Sequence, residues 1–181
     1  MRILAAALAG AVALPALARD VAGVEFAETA AVAGQELKLN GAGVRKKLFI
    51  KVYAGGLYLA APSSDADAIV AADAPRRVRM VFLRDVDRKS ILGAFREGFE
   101  NNSAAQAAAL VPKLEGIGPA IGDVKSRGEI VVTYLPGQGT TVTGPGGTAT
   151  VEGKDFADAL FRNWLGPKPA DDDLKKKMLG H

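Results

Sequence analysis

GAGVRKKLFIKVYAGGLYLA, residues 41–60, reads as two β-strands meeting at a tight turn. Leu37, Leu39, Gly41, Gly43 and Arg45 share one parity and Glu36, Lys38 and Asn40 the other, which predicts a strand over 35–45 with one apolar face. Residues 48–59 are rich in β-branched and aromatic types and read as the longer return strand, with the turn at Lys46-Lys47. Parity turns Arg45 toward the apolar side unless the glycines form a bulge. A guanidinium keeps its proton, and leaving it unpaired among apolar groups is costly. Arg45 must then meet a buried acid, internal water or a ligand carrying its own oxygen atoms, or else snorkel out at the strand end. Gly41 and Gly43 remove side chains beside it and leave room for something to lie against the sheet.

Working outward, Val24-Glu25-Phe26 alternates as a short first strand, and a helix is expected over 65–72 with Pro75 beyond it. Val78, Met80 and Phe82 alternate with Arg77, Arg79 and Val81 as a half-buried strand. Asp87 is a good N-cap for a helix presenting Ile91, Leu92, Phe95 and Phe99, and an alanine-rich helix follows over 104–114. From Glu129 the period returns to two, with turns at 136–139 and 144–147, so three strands form a meander. Phe156, Leu160 and Trp164 mark an amphipathic helix stopped by Gly166-Pro167, and Asp171-Asp172-Asp173 opens a short last helix closed by Lys175-Lys176-Lys177. Strands, helices, strands and helices in blocks predict an α+β fold.

The first 18 residues, MRILAAALAGAVALPALA, carry one early charge and end in Ala16-Leu17-Ala18, the pattern of a cleaved leader. Gly10 and Pro15 interrupt the apolar run, which is shorter than the ~20 residues a membrane span needs. The expectation is a signal peptide over 1–18, one domain over 19–181, and an exported, periplasmic protein with no stable membrane span. The net charge of +3 is small, and the basic residues form no nucleic-acid footprint. The chain has no cysteine and a single histidine, His181, so thiol chemistry, a Ser-His triad and a multi-histidine metal site are not expected. Neither a metal nor a cofactor is anticipated.

Gly41-Ala42-Gly43-Val44-Arg45 and Lys51-Val52-Tyr53-Ala54-Gly55-Gly56-Leu57-Tyr58-Leu59, with Gly153-Lys154-Asp155-Phe156, Phe161-Arg162-Asn163-Trp164-Leu165-Gly166 and Pro169, resemble the chalcone isomerase-like family. The resemblance covers nearly all of the chain beyond the leader and is nearest to the exported bacterial branch. It implies an open-faced β-sandwich: a large, mostly antiparallel sheet with helices packed over one face and a ligand cleft between. In the plant isomerases the arginine matching Arg45 contacts the substrate and assists a cofactor-free ring closure. In the fatty-acid-binding relatives the same arginine, with a tyrosine matching Tyr53, holds a carboxylate. The enzymes commonly have threonine where Tyr53 stands. They also carry a tyrosine and an asparagine at the start of the first long helix, where 87–94 has no tyrosine.

Three readings follow. The first is a non-catalytic binder of a small amphiphile such as a fatty acid, with Arg45 as anion anchor and Tyr53 as second donor. The second is an intramolecular lyase of the chalcone isomerase type in which Arg45 stabilises an enolate. Lys51 is its one lysine candidate for proton transfer, although a lysine there is more often a solvated strand residue. The third is an envelope interaction protein with no small ligand, in which Arg45 pairs with Glu25 or Glu36.

Overall fold

The computed structural model describes residues 18–181, so the expected leader lies, but for Ala18, outside the described residues. Strands β1 (Ala18–Val21) and β2 (Val24–Ala27) form a separate hairpin. Seven strands then make one antiparallel sheet in chain order: β3 (Thr29–Val32), β4 (Gln35–Lys47), β5 (Ile50–Leu59), β6 (Arg76–Phe82), β7 (Glu129–Leu135), β8 (Gly139–Gly144) and β9 (Gly147–Val151). Helix α1 (Ala66–Ala71) lies between β5 and β6, and α2 (Arg88–Asn102) and α3 (Ala104–Ile121) between β6 and β7. Helices α4 (Lys154–Leu165) and α5 (Asp172–Met178) follow β9. One face of the sheet, through Leu57, Val78, Met80, Val132 and Val142, packs on Phe99, Leu114, Phe156 and Trp164 of the helices. The other face buries Leu37, Leu39, Ala54 and Tyr58 beneath Val24 and Phe26 of the hairpin. This is the expected α+β, open-faced sandwich.

The turn between β4 and β5 falls later than Lys46-Lys47. Those lysines belong to β4, pairing with Lys51 and Ile50, and the chain reverses at Leu48 and Phe49, where Leu48 takes φ +57°. The Lys46 amide donates to Asp171 Oδ2 at 2.8 Å, so the far end of the chain holds this stretch extended.

The parity expected for Arg45 also needs correction. Leu39 pairs with Tyr58 but Gly41 with Leu57, so one extra residue, Asn40, makes a bulge. Asn40 is clamped there: its amide donates to Ser63 O at 2.8 Å and Met178 O at 2.7 Å, and its Oδ1 accepts from the Ser63 amide at 2.8 Å. Leu37 and Leu39 therefore face the β1–β2 hairpin, whereas Gly41, Gly43 and Arg45 face the helices. The room beside the glycines is taken by the chain itself. A Cβ on Gly41 would stand 1.9 Å from the Lys177 carbonyl oxygen, and one on Gly43 2.8 Å from Lys177 Cβ.

Asp87 caps α2 as expected, accepting from the Ser90 amide at 2.8 Å. Helix α3 runs seven residues past its expected end, through Gly116, Gly118 and Pro119. Its buried stripe of Leu110, Leu114, Ile117 and Ile121 continues at helical spacing, and Pro112 and Pro119 sit on the exposed side, where water can reach the carbonyls they leave unpaired. Strand β3, with small side chains and a weak pattern, was not anticipated.

Candidate functional site

Arg45 and Tyr53 are directly paired across β4 and β5, on the helix side of the sheet. The Arg45 guanidinium carbon stands 5.8 Å from the Tyr53 ring centroid. Its Nε is buried without a hydrogen-bond partner. Among the described residues Arg45 enters no ion pair. The pairing envisaged with Glu25 or Glu36 is not made: both are exposed, and Glu36 lies nine residues away, roughly 30 Å along an extended strand.

Tyr53 is buried and fixed from the opposite end of the chain. Trp164 Nε1 on α4 donates to the Tyr53 hydroxyl oxygen at 2.8 Å. A phenol has one proton to give, and the indole supplies none of its acceptors. With its oxygen accepting from Trp164, the Tyr53 O–H remains to donate, and no acceptor for it stands among the described residues. Burial pushes the Tyr53 phenol above its ordinary pKa and the neighbouring Arg45 charge pulls partly back, so the group stays a protonated donor near neutral pH.

Both residues line a cleft of about 840 Å³ between the β4–β5–β6 strand ends and α2. Its walls are largely apolar: Ile50, Val52, Met80 and Phe82 from the strands, Ile91 and Phe95 from α2, and Trp164 from α4. The volume lies within the about 300–1,000 Å³ usual for small-ligand sites. Of the carboxylates at its rim, Asp85 is held by Lys125 Nζ at 2.9 Å and the Ser126 amide at 2.8 Å, and Asp87 is engaged by Ser90. Glu97 is the third carboxylate of the lining, against the four cations Arg45, Lys46, Lys47 and Arg84.

A family profile described as chalcone isomerase-like matches residues 18–180. The chain belongs to the chalcone isomerase-like family. Among solved structures, the crystal structure of the Arabidopsis thaliana fatty-acid binding protein AtFAP1 superposes with a TM-score of 0.70 at 18% identity, covering 87% of this chain and 92% of that one. No curated protein sequence matches the chain. At that identity the superposition establishes the fold, and the chalcone isomerase-like sheet with its helix-covered face is the one built above.

Within this chalcone isomerase-like chain the two residues singled out from sequence, Arg45 and Tyr53, come together at one cleft. Lys51 is exposed and does not line it. The start of α2 contributes Asp87 and Ser90 to the cleft and no tyrosine. Sequence reasoning placed Trp164 on an amphipathic helix but missed its bond to Tyr53. The available signal was that a buried indole N–H needs an acceptor, and this is the only tryptophan in the chain.

Proposed function

We propose that the cleft binds a small amphiphile such as a fatty acid, without catalysis, with Arg45 as anion anchor and Tyr53 as second donor. The observation that carries this reading is an unpaired arginine beside a phenol whose oxygen is already occupied by Trp164. Both donors stand at the cleft, and among the described residues none accepts a hydrogen bond from either. A carboxylate supplies that acceptor, and the apolar wall between β5, β6 and α2 suits an acyl chain. The family membership and the likeness to a protein named for fatty-acid binding support the same reading.

The test is binding of a long-chain fatty acid to delipidated protein, alongside Arg45→Ala. Loss of a charge-assisted contact should weaken binding about 10- to 150-fold. Equal binding by both proteins would move the site elsewhere, and no binding by either would end the carrier reading. The apolar amino-terminal segment supports export as part of this proposal. Mass measurement of the protein recovered from cells should then give a chain starting at Arg19; an intact Met1 on the mature protein would overturn it.

A further inference from the structure

Large apolar side chains are exposed at one place among the described residues. Leu48 is 82% exposed, Phe49 90% and Ile50 46%, and the three are consecutive at the β4–β5 turn. Leu48 moreover takes φ +57°, a left-handed conformation that glycine or asparagine adopts more cheaply. A turn selected for stability and solubility alone would hold neither the leucine nor the phenylalanine. Lysines frame the tip on both strands: Lys46 and Lys47 precede it, Lys51 follows it, all three are exposed, and none is ion-paired among the described residues. The tip is also the rim of the cleft, since Leu48 and Ile50 line it together with Arg45.

We propose that this turn docks the protein on an anionic phospholipid bilayer. Leu48, Phe49 and Ile50 enter the boundary between headgroups and acyl chains, and Lys46, Lys47 and Lys51 sit among the phosphates. An apolar tip ringed by unpaired cations matches the chemistry of that interface, where buried apolar area and attraction to anionic lipid act together. Three free cations also argue against a second copy of the same tip as the occupant, because like charges would face each other. Docked in this way, the mouth of the cleft opens toward the bilayer. The docking surface stands whether or not the cleft takes a fatty acid, and its test uses none.

The chain beginning at Arg19, which contains both core clusters described above, is mixed with vesicles of phosphatidylcholine alone or with phosphatidylglycerol added, and sedimented. Binding should require phosphatidylglycerol, weaken as salt screens the lysines, and fall at least about tenfold in the double variant L48S/F49S, whose changes touch only exposed side chains. Phe49→Trp should shift its added emission to the blue and be quenched by brominated lipid. Absence of vesicle binding, equal binding by L48S/F49S, or an unshifted Phe49→Trp would each overturn the proposal. So would sedimentation of the chain as a dimer that the double variant abolishes without any vesicle binding, which would assign the tip to a second copy.

Discussion

Arg76 and Arg45 both point to the helix side of the sheet, and only one of them is paired. Arg76 is 1% exposed, donates to the Ala72 carbonyl at 2.8 Å and to Asp158 at 2.6 Å, and lies between the rings of Tyr134 and Phe161 at 4.6 and 4.8 Å. Burial disfavours its charge and Asp158 restores part of it. Arg76→Ala should therefore cost about 3–5 kcal/mol, by emptying a core site and breaking a buried pair. Arg45→Ala, which breaks no side-chain hydrogen bond or ion pair among the described residues, should stay within about 1 kcal/mol of the parent. Urea unfolding of the two variants checks the contrast; an Arg76→Ala protein as stable as Arg45→Ala would show that the buried network contributes little. Arg76 shares the parity of Val78, Met80 and Phe82 on β6, although the sequence reading did not single it out. Its partner was not legible, because Asp158 lies 82 residues further along and only the packing of α4 brings it there.

At the scale of elements, the decisive feature is the docking of α5 on the β4 glycines. Alternation in 35–45 looks the same with or without one extra residue, since leucines and glycines are acceptable on two apolar faces. The bulge at Asn40 therefore could not be read, whereas the two strands themselves could. The glycines did announce that something approaches the sheet closely; only the fold shows that it is α5 and that the cleft lies further along, at Arg45. Gly41→Ala would drive a methyl group into the Lys177 carbonyl, a backbone atom that cannot move without the helix. The expected loss is at least about 2 kcal/mol. Gly116, exposed on α3 with nothing within 4 Å of a Cβ, provides the opposite case. Gly116→Ala should gain about 0.5–1 kcal/mol from helix propensity alone. Thermal melts of both variants decide it. A neutral Gly41→Ala would mean that α5 is only loosely seated.

Across the whole molecule, the fold was legible because period, capping and turn chemistry agree locally along most of the chain. The cleft was less so, because its parts are assembled from far apart: Trp164 reaches Tyr53 across 111 positions. The chain's three tyrosines report on that assembly together. Burial raises the phenols of Tyr53 and Tyr58, and Tyr134 is pushed up to about 12 by burial and by its hydrogen bond to Asp73. In the unfolded chain all three should ionise around pH 10. The folded protein then keeps protons that the unfolded chain has lost, so the stability these groups contribute is complete below pH ~10 and disappears as pH climbs through the folded values. The phenolate absorbance of the native protein should accordingly lag that of the protein in guanidinium chloride, and the native state should weaken over the same interval. Tyr53→Phe should remove its share of amplitude from the delayed part of the curve. If that amplitude is lost instead from a component near pH 10, Tyr53 is open to water and its oxygen is not held by Trp164. The donor geometry on which the proposed carboxylate site depends would then fall with it.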